Sequence, residues 1–435
     1  MTAISGIIYP PTLDFEYLVQ RPQQLLKSLS ELGVTVFFLN RPAYHHGIYQ
    51  GIEKYNQHFF LFHHTEPSYP VTTRPVVYYS NPSQVDIIRD YNPCLVVFDS
   101  LDEPVGEFSS WQPYYHQAVA SADLVLAASE TLYIRAQAIN PHTCLIANGC
   151  DFNYFKRARS NTLVPADLPE LKRGVIGYMG AVASWCDLDL LDRLAQVFSD
   201  CSLLIIGPLY NVRNIPLRQN IHWLGYKAYE ELVYYARYFD VGIIPFKQND
   251  MTAAVNPIKM WEYMAMGIPV VTTALPETAK YSELLYYSPG HQDFIDNIRR
   301  ALKQENWEKC ERRTTLAEEN SWTNRAEVML GAIQERLRAK GIKVQENLPI
   351  PASATPYHRK NWYQKEHVRF QSPAKKYAVP QKKENMGRTV IGSPALQLSG
   401  DGSGSKHLTI SDQHPKTFRY KSKKLYLPGE YPCER

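Results

Sequence analysis

Lys259 and Glu262 lie three residues apart in the run Ala254–Thr273, which places a cation and a carboxylate along one edge of an expected helix. Asn256 suits the N-cap of that helix, and Pro257 suits its first position, where a missing N–H costs nothing. A helix start with free N–H groups and a nearby lysine suits a phosphate. A carboxylate one turn further in can accept two hydroxyl hydrogen bonds, as a ribose diol requires. Many α/β helices carry one Lys and one Glu on a solvated side, so residue types alone leave both readings open. Gly267 can close the helix in the left-handed conformation and Pro269 blocks its continuation, leaving about ten residues and roughly 15 Å of helix.

Other residues are placed to do chemistry. In GYMGAVASWCDLDLL, Gly180 follows an expected strand and lets a backbone approach a diphosphate. Ser184 and Trp185 share its loop, and Trp185 suits either a sugar or base face or the cover of a domain interface. Lys247 is a second phosphate candidate, or an exposed lysine. Arg21 and Gln24 stand at the start of an expected helix. The Arg21 fork suits a phosphate or carboxylate, with a surface salt bridge as its plainer use. In VVFDSLDEP three carboxylates follow a strand end. Asp102 suits orienting a hydroxyl or stabilising positive charge, whereas Asp99 and Asp102 can also cap the turn. His116 is a weaker candidate, with a plain helix residue as its simpler reading. The pairs His45–His46 and His63–His64 lack metal-ligand spacing on one face and read as surface or loop histidines.

The elements that must position these residues come in two cycles. Strands are expected at Ile4–Tyr9, Thr35–Leu39, Val76–Tyr79, Leu95–Phe98, Leu124–Ala127 and Cys144–Ile146, with an amphipathic helix from Arg21 to Leu32. A second series runs through Val175–Met179, Leu203–Ile206, Ile221–Leu224, Val241–Pro245 and Val270–Thr273, after a polar, Pro-containing linker at 157–173. Strand–helix alternation implies doubly wound parallel sheets, whose ligands sit beyond the strand C-termini. The expected organisation is a first Rossmann-like domain at 1–160, a second at 170–322, a closing helix at 323–342 and a disordered basic tail at 346–435.

Composition sets bounds. No run of about 18 apolar residues suggests a membrane span, and the N-terminus does not read as a signal peptide. Seven scattered cysteines, none in a CxxC pair, argue against disulfides or a zinc site and for a reducing cytoplasm. Residues 346–435 hold 16 Lys and Arg against 7 Asp and Glu, while residues 1–345 hold 31 against 36. The globular part is therefore mildly acidic, which does not fit a nucleic-acid groove. The tail's Tyr/Lys repeats suit an anionic polymer or membrane surface, or a solvated extension with no partner.

The segment NPIKMWEYMAMGIPVV resembles the signature helix of the large retaining glycosyltransferase families with the GT-B fold. Nearest in pattern is a branch of bacterial cell-surface polysaccharide enzymes of the teichuronic-acid type, which writes it Asn-Pro-x-Lys-x-x-Glu-Tyr. The resemblance covers about residues 90–340 well and 1–90 loosely. It implies two Rossmann-like domains facing across a cleft, a nucleotide-sugar donor, a glycan or lipid-linked acceptor, retention of configuration and no metal or other cofactor. Glu262 matches the carboxylate that grips the donor ribose. A second family carboxylate, eight residues earlier, would fall at Ala254 and is missing. The loop Gly225–Tyr226–Lys227 corresponds to the one that holds the nucleobase, largely through backbone contacts. The Gly-rich loop after the first strand is replaced by YPPTLDFEYLVQ. ANGCD at 147–151 matches an Asn-Gly-Val-Asp turn, a backbone element near the hinge. Asp187-Leu-Asp189 mimics the metal-binding acidic pair of the other major transferase fold, but Asp187 stands at a helix start and reads as an N-cap.

The expectation is thus a cytoplasmic transferase in cell-surface or spore polysaccharide synthesis, with peripheral contact to the inner membrane face or spore surface through its tail. The alternative is a non-catalytic GT-B protein acting as a sugar-binding or assembly scaffold docked by that tail. A nucleotide-sugar epimerase shares the fold but lacks the Asn-Pro-x-Lys-x-x-Glu-Tyr helix.

Overall fold

The computed structural model describes residues 4–42, 50–70, 72–212, 214–304, 306–343 and 347–357. The His45–His46 pair and the chain beyond 357 lie outside the described residues.

The first domain is built on β1 (Ile7–Tyr9), β2 (Val36–Asn40), β3 (Gly51–Asn56), β4 (Phe59–His63), β5 (Val76–Tyr79), β6 (Leu95–Ser100), β7 (Leu124–Ala127) and β8 (Thr143–Leu145). The second uses β9 (Val175–Met179), β10 (Ser202–Ile206), β11 (Ile221–Gly225), β12 (Val241–Ile244), β13 (Val270–Thr273) and β14 (Tyr286–Ser288). A late strand, β15 (Thr355–Pro356), returns to the first sheet, whose order is β15-β3-β4-β2-β1-β5-β6-β7-β8. The second sheet runs β11-β10-β9-β12-β13-β14 with every pair parallel. Strands such as VVYY and LVLA are apolar throughout and fully buried, because helices cover both faces of a doubly wound sheet.

Two features depart from the expected pattern. β3 and β4 form an antiparallel hairpin at the first sheet's edge. FFLFH shows no alternation because all five residues are buried, so periodicity does not mark it as a strand. His63 is on that strand, buried, with Nε2 3.2 Å from Glu53 Oε2, and is not the surface histidine expected. The second departure concerns the tail. Residues 347–357 pack on the first domain, so its expected start at 346 is too early. The Leu348 N–H donates to the Ser5 carbonyl at 2.6 Å and its side chain is buried, while the Tyr357 hydroxyl donates to Glu16 Oε1 at 2.6 Å. One buried leucine and a two-residue strand leave no periodic signal.

The closing helix, Trp322–Ala339, buries Trp322, Ala326, Met329, Ile333 and Leu337, one stripe at three- and four-residue spacing. That stripe joins the first domain's core with Leu25, Leu26 and Leu29 of the first helix, Arg21–Glu31. The chain therefore crosses back after completing the second domain. Gly149 and Cys150 sit where it crosses: Cys150 exchanges backbone hydrogen bonds with Asn320 and Trp322, and a Cβ on Gly149 would come 2.4 Å from the Asn320 carbonyl oxygen.

Candidate functional site

The signature helix runs from Ile258 to Ala265, with Pro257 rather than Asn256 at its cap position. Asn256 does not cap it because its side chain is used elsewhere. Its Oδ1 accepts the Trp261 indole N–H at 3.0 Å, and its Nδ2 donates to Glu277 Oε2 at 2.8 Å. The N–H groups of Ile258 and Lys259 consequently have no hydrogen-bond partner among the described residues. The far end closes as expected: Gly267 has φ +71°, its N–H reaches the Met264 carbonyl at 2.8 Å, and the Ile268 N–H reaches the Tyr263 carbonyl at 3.2 Å.

Lys259 and Gly180 are brought together by this helix and the end of β9. The Lys259 ammonium sits 4.6 Å from the Phe246 ring centroid and 5.3 Å from that of Tyr178. Aromatic faces hold a cation there without neutralising it. Loss of water pushes the lysine pKa down, against the opposing pull of Cys186 and Glu262. Gly180 has φ +127°, a conformation that favours glycine. One turn along, Glu262 is buried, and its carboxylate has no hydrogen bond or ion pair among the described residues. Burial raises its pKa to about 7, Lys259 pulls it back down, and the charge of Asp151 adds to the rise. The site thus holds a desolvated cation, free helix N–H groups and a desolvated carboxylate in one short segment.

Around it, Trp185 is half-buried against the second domain's core, and its carbonyl accepts the Lys247 N–H at 2.8 Å. The side chains of Lys247 and Ser184 are exposed. Asp187 caps the following helix by accepting the Leu190 N–H at 2.9 Å, as its position predicts. Among the described residues, no three His, Cys, Asp or Glu side chains are grouped to hold a metal ion.

Tyr226 is buried, its ring centroid 4.8 Å from that of Tyr17 and its hydroxyl donating to the Glu16 carbonyl at 3.1 Å. The loop that replaces the Gly-rich segment therefore reaches across and covers this side chain. Lys227 pairs with Asp167.

Arg21 forms neither an open fork nor a surface salt bridge. It is 2 % exposed and grips Asp99 with two hydrogen bonds, Nε to Oδ2 at 2.8 Å and Nη2 to Oδ1 at 3.1 Å. The Tyr78 hydroxyl donates to the same carboxylate at 2.5 Å. Asp99, at the end of β6, is thus an internal counter-ion and not a turn cap. Asp102 is half-buried, without a hydrogen-bond or ion-pair partner among the described residues. Burial, and then the negative charge of Asp99, raise its pKa to about 7. His116 lies exposed on a helix, Gln112–Ser121.

One connection was not visible in the sequence. Arg21 Nη1 donates to Asn148 Oδ1 at 3.3 Å, and Asn148 Nδ2 donates to the Asn256 carbonyl at 2.7 Å. The Asn-Gly turn therefore contributes a side chain that ties the first helix to the signature helix. Beyond Asn256, Glu277 accepts the Glu130 N–H at 2.9 Å, and Lys280 reaches Glu277 at 2.9 Å and Glu130 at 3.1 Å. Ala254, the position of the missing carboxylate, is fully buried in a cluster with Ala127, Ala128 and Leu132 of the first domain.

Two facing α/β domains closed by a returning helix make this a GT-B fold. Residues 173–304, which carry Gly180, Lys259 and Glu262, match the family model of the group 1 glycosyl transferases. The chain is similar to the putative teichuronic acid biosynthesis glycosyltransferase TuaH of Bacillus subtilis (strain 168), with 26% identity over 224 residues. That match takes in 47% of this chain and 55% of the relative, so only about half of the relative's length is spanned. Among solved structures it resembles Anabaena Alr3699/HepE in complex with UDP and glucose, with a TM-score of 0.54 and 14% identity over 76% of this chain and 100% of that one. It also resembles the α,α-trehalose 6-phosphate synthase of Burkholderia multivorans, with a TM-score of 0.57 and 9% identity over 78% and 100% of the two chains. No helix among the described residues is long and apolar enough to cross a membrane.

Proposed function

We propose that this chain is a glycosyltransferase that moves a sugar from a nucleotide-sugar donor, UDP- or GDP-linked, to a glycan or lipid-linked acceptor in cell-surface polysaccharide synthesis. The observation that carries the reading is Lys259 beside Gly180, at a helix start whose first N–H groups are unpartnered, one turn before the buried Glu262. An anionic diphosphate offsets the desolvated ammonium and accepts the free N–H groups. Glu262, once ionised, accepts from the two ribose hydroxyls. The similar HepE structure, which is in complex with UDP and glucose, supports a nucleotide ligand.

In this reading the reaction retains configuration. The acceptor hydroxyl attacks from the face the diphosphate leaves, and the departing phosphate takes the proton. Catalysis then rests on positioning and on stabilising charge that develops on the leaving group. Lys259 and the helix N–H groups act on that charge, Asp102 orients the acceptor hydroxyl, and no metal is required. Arg21, engaged by Asp99, fixes Asn148 and through it the signature helix.

One observation favours a second reading. Ala254 is sealed against the first domain and offers no group to a donor sugar, which suits a non-catalytic scaffold that binds nucleotide or glycan. The two part in a donor-hydrolysis assay with labelled UDP- and GDP-sugars. The transferase releases free sugar slowly without acceptor and loses that activity in Lys259→Ala. Absence of release from a folded, nucleotide-binding sample would leave the scaffold as the better account.

A further inference from the structure

Asn256 and Glu277 are each 3 % exposed and meet where the two domains touch. The Trp261 indole can only donate, to Oδ1, and the Glu277 carboxylate accepts from Nδ2, so the Asn256 amide has one orientation. The other Glu277 oxygen accepts the Glu130 N–H at 2.9 Å, at the start of a first-domain helix, Glu130–Gln137. A carboxylate is favoured at such a helix start by the backbone dipoles. The Asn256 carbonyl is held from the first domain as well, by Asn148 Nδ2 at 2.7 Å. Side chain and carbonyl of one residue are thus tied, through Glu277 or directly, to the opposite domain. Ala254 seals the same junction against Ala127, Ala128 and Leu132.

Without those ties the local sequence favours a different state. Asparagine is among the best N-caps, and proline suits the first helical position after it. Pro257 instead has ψ 116°, and the helix begins one residue later. Turning that one dihedral to a helical value makes Asn256 the cap and sets its Oδ1 on the N–H of Ile258 or Lys259. Those are the N–H groups a diphosphate needs. A helix start capped by its own asparagine has lost a donor to that side chain.

We propose that Asn256 competes with the diphosphate for its own helix start, and that Glu277 and Asn148 hold it off while the domains are together. The anion site is then available in the closed arrangement and blocked by its own cap when the domains part. Glu277 touches no substrate and acts as a positioning residue. The inference rests on the diphosphate reading of the signature helix given above.

Calorimetric titration of inorganic pyrophosphate, UDP and GDP into the wild type, Glu277→Ala, Asn256→Ala and the double variant tests it. Glu277→Ala should bind pyrophosphate, and the nucleotide that binds the wild type, about fivefold more weakly, the strength of an ordinary N-cap. The double variant, with no cap to compete, should regain the affinity of Asn256→Ala alone. A merely structural loss would not be rescued by a second substitution in the same junction. Amide hydrogen exchange at Ile258 and Lys259 should slow in Glu277→Ala as the cap forms. Where Glu277→Ala folds poorly, Asn148→Ala frees the Asn256 carbonyl and should show the same loss and the same rescue. Unchanged affinity in both Glu277→Ala and Asn148→Ala, or a loss that Asn256→Ala fails to rescue, overturns the proposal. No binding of pyrophosphate or either nucleotide to a folded wild type removes the diphosphate reading, and this proposal with it.

Discussion

A Cβ on Gly180 would lie 3.1 Å from the Cε of Lys259 and 3.3 Å from its Nζ, so the two residues share one packed spot between β9 and the signature helix. The glycine also holds φ +127°, which an alanine adopts only under strain. Gly180→Ala should destabilise the protein by more than about 1 kcal/mol and displace the ammonium. Diphosphate affinity should fall about tenfold with it. Urea denaturation and pyrophosphate titration of the same sample check both effects.

The raised pKa of Glu262 fixes a pH dependence. Its folded value of about 7 stands above its ordinary 4.5, so between those values the native state binds more protons than the unfolded chain. Stability contributed by the protonated form is present at low pH and is lost as pH rises through about 7. Asp102, raised from 3.8 to about 7, acts in the same direction. Glu262→Gln should therefore raise the unfolding midpoint at pH 8 and flatten its pH profile. If Glu262 holds the ribose as proposed, nucleotide binding runs the other way, because only an ionised carboxylate accepts from both hydroxyls, and affinity should weaken below about pH 7. Thermal melts and titrations across pH 5.5 to 8.5 separate the two trends.

Arg21 and Asp99 form a buried bidentate pair, and removing one partner leaves the other charge unpaired. Arg21→Met should cost about 3–5 kcal/mol, and Arg21→Met combined with Asp99→Leu less than the sum of the single changes. Denaturant unfolding of the four proteins measures that coupling. A cycle with no coupling would contradict the pairing.

Ala254 tests what the missing carboxylate means. Because the residue is sealed against Ala127, Ala128 and Leu132, Ala254→Glu puts an unpartnered charge into an apolar contact between the domains. The substitution should lower the unfolding midpoint and open the cleft, seen as a larger radius of gyration in solution scattering. Restored high stability with an unchanged radius would show that a carboxylate fits there.

Much of the framework was legible in the sequence. Val76–Tyr79, Leu124–Ala127, Val175–Met179 and Val270–Thr273 match strands residue for residue, because fully apolar runs between turn signals have few other solutions. Gly267, Asp187 and the Lys259–Glu262 spacing were readable because backbone chirality and helical geometry dictate them locally. What was hidden depends on long-range placement. Asn256 looked like a cap, but Trp261 and Glu277 claim its amide. Arg21 suits a ligand fork or a surface salt bridge by type, and nothing local points to Asp99, 78 residues away. Asn148 read as a turn residue, and only the juxtaposition of two domains gives its side chain a partner on each side. Burial of Leu348 is equally invisible in a Pro-rich segment with no period.

In the proposed function the signature helix holds a nucleotide diphosphate and its ribose. Calorimetric titration of UDP and GDP into the wild-type chain and into Glu262→Ala reports on that binding. One nucleotide should bind the wild type with a single-site isotherm, and that binding should be lost in the variant. Failure of both nucleotides to bind a folded wild-type sample, or equal affinity in Glu262→Ala, would contradict it.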